Sequence, residues 1–444
     1  MINDYGAREN ANDGGDRRKA RAGDFGTSVD RRRFLQATGV GVAGTTLGYL
    51  GSGLASAQQG SLKIGVLAPE PANNPIGASM ANAAKLAASQ VNDEGGAGSR
   101  QLEVVVKDTK EDPSTGRRAY QELTVGENVD VTTGVFTSEV LMNILNDIAQ
   151  QQTLHLTTGA ATPQASLRVN QQYDRYKYHF RPGPLNAHDL GVNLVDFAKA
   201  KFGDFGWESV AVLVEDFQWT VPVSAVLNEQ LSGIGTEITM NRRYAAGTEN
   251  FTPIYDQVQN GGADAAFVAM AHTGTAALVQ WAKQQRPFEF GGIHVPMQLP
   301  SYYDAVDGAA RFGITQNSAT PTSEITDQTV PFANAYQKRF DSLPVYTGYI
   351  TFDAVKQYAT AVEEAGSANA DDLIPVLEGI SYTGTVGTIE YYPKDNEFAH
   401  DVVYDPDKVF PVFQQWQERN GEGVQEVIFP DDLATAEHRA PPWI

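Results

Sequence analysis

Nucleophilic, acid–base and metal chemistry each need particular residues at particular spacings, and this chain of 444 residues supplies few of them. It has no cysteine, which excludes disulfides, thiolate catalysis, Cys-ligated zinc and a lipidated N-terminal cysteine. The seven histidines form no His-Glu-x-x-His and no other metal-binding spacing, and neither a P-loop nor a Gly-x-Ser-x-Gly elbow is present. Gly39-x-Gly41-x-x-Gly44 has the form of a dinucleotide fingerprint, but no strand precedes it and it lies in an apolar leader, so it is a chance match. Adjacent carboxylates occur at Glu215-Asp216 and Asp371-Asp372, and such pairs read as solvated surface. These absences point away from an enzyme, and neither a metal nor a cofactor is expected.

What remains is a set of short loops able to hold a small molecule. Gly134-Val135-Phe136-Thr137-Ser138 runs from a strand into a helix. Ser138 there can cap the helix, and the free backbone N–H groups at the helix start favour an anion such as a carboxylate. Thr157-Thr158-Gly159-Ala160-Ala161 offers a second loop of backbone donors. Phe217-Gln218-Trp219 and Ala271-His272 each follow a strand. Trp219 reads either as core or as a ligand cover, and His272 either as a ligand group or as a solvated loop histidine.

The elements that would position these loops alternate along the chain. Strands are predicted over 62–67, 102–107, 129–136 and 154–158, and helices over 77–94, 115–126 and 138–150. In the first helix Met80, Ala84, Ala87 and Val91 share one face, and Gly95-Gly96 stop it. The pattern pauses at His179-Phe180-Arg181-Pro182-Gly183-Pro184, which has the composition of a linker, and then restarts. Helices are predicted over 186–201, 221–231 and 274–285, and strands over 209–215, 264–270 and 292–295. Residues 314–326 read as a polar, irregular second crossing. Helices follow near 328–341, 350–366 and 371–380, and 385–416 reads as strands and turns. Such alternation predicts an α/β fold of two doubly wound parallel sheets. In open sheets of this kind ligands bind beyond the carboxyl ends of the strands, which is where the loops above lie.

Composition bounds the partners. Hydrophobic residues make up 41% of the chain and the formal net charge is -21, so the chain is globular and no nucleic-acid partner is expected. Lysines are fewer than arginines, and an acidic, Lys-poor surface suits a halophilic source. Residues 1–30 are polar and Gly-rich and read as disordered. Arg31 and Arg32, followed by Arg33-Phe34-Leu35, resemble a twin-arginine export signal. An apolar stretch then ends at Ala55-Ser56-Ala57, which places cleavage after Ala57 and the protein outside the cytoplasm, membrane-tethered if the signal is retained.

Several segments together resemble the branched-chain amino acid (leucine/isoleucine/valine) type of ABC-transporter solute-binding protein, within the type I periplasmic binding protein superfamily. They are Leu62-Lys63-Ile64-Gly65-Val66-Leu67-Ala68-Pro69, Val91-Asn92-Asp93-Glu94-Gly95-Gly96, Asp108-Thr109 with Asp112-Pro113, Asn250-Phe251-Thr252-Pro253, Gly348-Tyr349-Ile350-Thr351-Phe352-Asp353-Ala354 and Tyr382-Thr383-Gly384-Thr385-Val386-Gly387. The resemblance implies a Venus-flytrap of two lobes joined by a multi-stranded hinge. Lobe 1 would comprise 61–183 and 323–386, lobe 2 184–322 and 387–432, and 433–444 a tail. It implies a monomer that captures a small molecule by hinge closure and hands it to membrane permease subunits. A soluble partner of a chemotaxis or sensory receptor is the alternative.

The resemblance also assigns residues. The serine matching Ser138 touches the ligand, with Thr137 beside it. Ala160 and Ala161 face the ligand and leave room for it. Trp219 stands where a covering tyrosine is common, and His272 where an aromatic is common. Ile76 replaces an aromatic. Gln298 stands where amino-acid-binding members carry an acid that pairs the ligand ammonium, and a neutral Gln cannot offset a buried cation. An amide, a urea-like compound or an organic acid is therefore expected ahead of a free amino acid. Asp108 resembles a loop-bracing carboxylate. Asn250 is a glycosylation sequon that also matches the family's helix-start motif.

Overall fold

The computed structural model describes residues 60–444 apart from Ala246. The expected twin-arginine leader with Arg31 and Arg32, and the expected cleavage position after Ala57, lie outside the described residues. Among the described residues no helix is long and apolar enough to cross a membrane, and no cluster of His, Asp or Glu is placed to hold a metal ion.

β1 (Leu62–Ala68) is apolar and buried along almost its whole length, as a central parallel strand must be. α1 (Pro75–Asp93) starts where the Asn74 side chain accepts the Ile76 amide at 2.9 Å, with Pro75 in the first turn where no N–H is required. Its expected face of Met80, Ala84, Ala87 and Val91 is buried. β2 (Leu102–Asp108), α2 (Pro113–Gln121), β3 (Val131–Gly134), α3 (Ser138–Gln151) and β4 (Leu154–Thr157) follow. Two short helices, α4 (Gln164–Gln171) and α5 (Tyr173–Tyr176), lead to β5 (His179–Phe180). The five strands are parallel in the order β2-β1-β3-β4-β5. The Asp108 carboxylate accepts the Glu70 and Lys110 amides, both at 2.8 Å, and so braces the loops after β1 and β2.

Two expectations change in this half. Residues 179–184 are not simply a linker, because His179 and Phe180 form the fifth strand beside β4. Phe180 is fully buried and stacks on His400 at 3.9 Å, so its apolar ring is drawn into the core while only the Pro/Gly residues after it make the crossing. β3 ends at Gly134, two residues before the expected boundary, because Gly134 and Val135 both have positive φ, 112° and 67°. A Cβ at Gly134 would lie 2.2 Å from the Leu67 carbonyl oxygen, so only glycine fits. Positive φ is strained for a β-branched residue. Val135 is held in it by donating to the Leu67 carbonyl at 2.8 Å and accepting from the Ala160 amide at 2.9 Å.

The second sheet is built from α6 (Ala187–Phe205), β6 (Ser209–Glu215), α7 (Thr220–Gln230), β7 (Glu237–Tyr244), α8 (Thr252–Asn260), β8 (Ala265–Met270), α9 (Gly274–Lys283) and β9 (Glu289–His294). The four strands are parallel in the order β7-β6-β8-β9. β7 was not anticipated from sequence. It is an edge strand, so most of its residues are exposed or only partly buried and its apolar signal is diluted. α10 (Val295–Gln298) and α11 (Tyr302–Ala305) lead to β10 (Ile314–Asn317), which lies within the stretch expected to be irregular. β10 is antiparallel to a late strand, with the Asn317 side chain donating to Gln414 at 3.0 Å. α8 begins as the family motif suggests, with the Asn250 side chain accepting the Thr252 amide at 3.1 Å.

The chain then returns to the first sheet through α12 (Thr329–Phe340), α13 (Tyr346–Ala365) and α14 (Ala370–Glu378). The Ser79 hydroxyl on α1 accepts the Val345 amide at 3.0 Å just before α13. A two-stranded ribbon, β11 (Tyr382–Thr383) with β12 (Thr388–Ile389), precedes β13 (Val412–Arg419) and β14 (Glu422–Phe429), which extend β10 into an antiparallel sheet. Between them, Arg181 donates its amide to the His400 carbonyl at 2.9 Å and its carbonyl accepts the Val402 amide at 2.9 Å, so residues 400–402 run beside the end of β5. Residues of the tail pack near β9, where Trp443 donates to the Arg286 carbonyl at 3.1 Å and His438 contacts Glu289 at 2.7 Å.

Candidate functional site

Each parallel sheet reverses its strand order once, beside β1 in the first and β6 in the second. A crevice opens beyond the strand ends at such a reversal, and the loops that leave β3, β4, β6, β8 and β9 converge on one cleft. The cleft encloses about 50 Å³. A buried water occupies roughly 10–15 Å³ counted this way, so there is room for about four waters, the bulk of a small organic acid.

The first wall is the start of α3 and the loop after β4. Thr137, not Ser138, is the helix cap, its hydroxyl accepting the Val140 amide at 3.4 Å. Ser138 therefore sits in the first helical turn, and its hydroxyl accepts the Thr162 amide at 3.2 Å while keeping its own proton to donate. Both residues are buried and line the cleft. The first amides of a helix lack partners inside it, so this corner is polarised toward an anion. Gly159 and Ala161 line the cleft and Ala160 does not. The Ala160 amide instead closes the loop onto Val135 at 2.9 Å, and the residue is buried outside the lining. Ile76 is buried at the start of α1, outside the cleft lining.

The second wall hangs on Glu215, the last residue of β6. The sequence suggested solvated surface, yet the fold buries this carboxylate completely, because the strand that carries it is central. Its neighbour Asp216 is the one that reaches outward, pairing with Arg243 at 2.6 Å. Glu215 Oε1 accepts from Trp219 Nε1 at 3.0 Å and His272 Nδ1 at 2.8 Å. Oε2 accepts the His272 amide at 2.9 Å, the Thr273 amide at 3.2 Å and the Thr273 hydroxyl at 3.0 Å. One carboxylate thus sets the position of both Trp219 and His272, which line the cleft while Glu215 does not.

His272 is packed rather than solvated. Its ring stacks on Phe217 at 4.0 Å and meets Phe136 of the first wall at 5.4 Å. Burial pushes the imidazole pKa down, but the hydrogen bond to Glu215 and the charges of Glu215, Glu111 and Glu139 outweigh it and raise it. For Glu215, burial pushes upward and the contacts with His272 more than reverse it, leaving the pKa lowered. His294, at the end of β9, accepts the Met297 amide at 3.2 Å, and burial holds it neutral with a pKa of about 4.

Gln298 lies on the cleft at the end of α10 and is buried. Its amide donates to the Gln316 carbonyl at 2.7 Å, while its Oε1 and the Gln316 Nε2 are buried without a partner. Gln316 and Ser318 line the cleft from β10 and the residues after it. Pro184, Leu190, Ile293, Val295 and Tyr346 supply the apolar lining. None of the lining residues is acidic. Of the sequence-assigned residues, Thr137, Ser138, Ala161, Trp219, His272 and Gln298 come together here. Phe136, Tyr346, Gln316 and the hub Glu215 were missed. An acid closing the apolar run Val210–Val214 was the available signal for Glu215.

Residues 61–404 match the profile of a family described as periplasmic binding protein. Among solved structures, a solute-binding protein of an ABC transporter from Rhodopseudomonas palustris BisB5, in complex with 3,4-dihydroxybenzoic acid, is similar with a TM-score of 0.69 at 20% identity. The match covers 86% of this chain and 99% of that one. A branched-chain amino acid transporter substrate-binding protein from Streptococcus pneumoniae, in complex with isoleucine, has a TM-score of 0.68 at 18% identity, covering 83% and 100%. A second R. palustris solute-binding protein, in complex with 4-hydroxybenzoate, has a TM-score of 0.68 at 16% identity, covering 83% and 96%.

Proposed function

We propose that this chain, which belongs to the periplasmic binding protein family, is the solute-capturing component of an ABC importer whose ligand is a small organic acid without an ammonium group. The observation that carries this reading is the chemistry of the cleft. Its first wall offers the start of α3 and the Ser138 hydroxyl to an anion, and no acidic side chain lines it. The carboxylate buried behind the second wall, Glu215, is taken up by five donor contacts. Glu111 accepts from Asn74 at 3.2 Å, and Glu139 accepts the Gln218 amide at 3.1 Å. An ammonium brought here would lose its hydration with no acidic side chain in the cleft lining to pair it, at a cost of several kcal/mol. Structures sharing this fold hold amino acids in some cases and benzoates in others, and the lining of Phe136, Trp219 and Tyr346 favours the second kind.

In this reading the ligand touches both walls only when the lobes are closed, and so shifts the population toward the closed form. The closed form docks the permease and releases its cargo chemically unchanged. The twin-arginine leader supports export, and the acidic surface supports work in high salt. The test is a thermal-shift and X-ray scattering series with 4-hydroxybenzoate, acetamide, urea, leucine, isoleucine and valine. A benzoate should raise Tm and shrink the radius of gyration, and the branched amino acids should do neither. Strong stabilisation by leucine would overturn the reading of Gln298.

A further inference from the structure

We propose that a single ligand carboxylate bridges the two walls, accepting from Ser138 and the start of α3 on one side and from His272 Nε2–H on the other, with Glu215 as the residue that positions the ring. This deepens the organic-acid reading and rests on it.

The geometry of His272 leaves little else for that nitrogen to do. Nδ1 lies 2.8 Å from Glu215 Oε1, so it carries a proton and donates it. Phe217 fixes the ring plane from one face. Nε2 is then buried with no partner, although the ring lines the same cavity as Ser138. A buried polar atom left unpaired costs free energy, which a carboxylate oxygen arriving between the walls would recover. The short distance from His272 to Phe136, next to Thr137 and Ser138 in the chain, is what allows one small group to reach both sides.

The bridge requires a proton. With Nδ1–H committed to Glu215, a neutral imidazole presents a lone pair at Nε2, and a lone pair repels a carboxylate. Only the doubly protonated ring donates from both nitrogens. The charged groups that face the ring are Glu215 from the end of β6, Glu111 from the loop before α2 and Glu139 from the first turn of α3, all carboxylates. They favour the charged ring, and they also repel a ligand anion once the ring is neutral. Loss of one proton therefore removes a donor and leaves an acidic surround. Anion capture should be strong below the pKa of His272 and weak above it.

The test is calorimetric titration with 4-hydroxybenzoate and its neutral analogue 4-hydroxybenzamide at about pH 5.5 and about pH 8.5. It uses the native protein, His272→Gln and Glu215→Gln, together with ¹⁵N NMR of the imidazole nitrogens. The native protein should lose at least about tenfold in 4-hydroxybenzoate affinity between the two pH values. His272→Gln should bind with no such dependence, Glu215→Gln should move the loss to lower pH, and any binding of the benzamide should not vary with pH. The NMR should show His272 doubly protonated at the lower pH. Binding of 4-hydroxybenzoate that is flat with pH in the native protein, or equally pH-dependent in His272→Gln, would overturn the bridge and leave the organic-acid reading standing. Failure of 4-hydroxybenzoate to bind at either pH, with the imidazole titrating as expected, would overturn the organic-acid reading and the bridge with it.

Discussion

On one wall of the cleft the polar groups are the first amides of α3 and the hydroxyls of Thr137 and Ser138, fixed by the backbone. On the other they are side chains strung on a single buried carboxylate. The first arrangement carries no titrating group among its contacts and depends on local chain geometry. The second depends on an ion pair between residues 57 positions apart in sequence. The contrast shows two routes to a preorganised site. A helix start has its direction built into the fold, whereas an imidazole must be aimed by a partner and can be switched off by a base.

The largest effect should come from removing that partner. Glu215→Ala would strand the Trp219 indole N–H and the His272 ring in a buried site, and losing one member of a buried pair costs about 3–5 kcal/mol. Urea unfolding should show that loss, together with failure of ligand binding. A cost below about 1 kcal/mol would mean that the second wall does not hang on Glu215.

Next comes Gln298→Glu, which would put a free carboxylate in the cleft and forfeit the donation to the Gln316 carbonyl. Affinity for 4-hydroxybenzoate should fall at least tenfold, about 1.4 kcal/mol, read by calorimetry. Unchanged affinity would place the ligand away from this residue.

A smaller loss is expected on the first wall. Thr137→Ala removes the α3 cap and should cost about 1 kcal/mol in the same unfolding experiment. That cost should be the same in acid and in base, because no proton is involved.

The finest discrimination is pH dependence. The His272 pKa is raised above its ordinary 6.5, so its contribution to stability is complete below that value and fades as pH rises through the folded pKa. The Glu215 pKa is lowered below its ordinary 4.5, so its contribution is complete above that value and fades as pH falls through the folded pKa. The second wall is therefore most stable between the two. In His272→Gln the alkaline fade should disappear from the unfolding midpoint, while Thr137→Ala should leave it in place.

Much of the first wall was legible because its signals are local. A strand run, then Gly134, then a capping residue predicts a loop with free amides whatever surrounds it, although the choice between Thr137 and Ser138 as cap needed the backbone angles. Trp219 and His272 were found as residues following strands and through the family resemblance. Their shared dependence on Glu215 was invisible, because hydrogen bonds between distant segments leave no periodic trace. The same blindness turned β5 into a linker and β10 into irregular chain. Short strands paired with neighbours far away in sequence have too few residues to show a period of two.

By itself the sequence determined the alternation of strands and helices, the two sheets, the absence of thiol chemistry and the loops where a ligand would lie. Those follow from side-chain volume, periodicity and backbone capacity, which act over a few residues. The tertiary structure decided which carboxylate is buried, which histidine it holds and which ring nitrogen is left without a partner. Burial and pairing of charge depend on strand order, and strand order in a parallel sheet is settled by elements far apart along the chain.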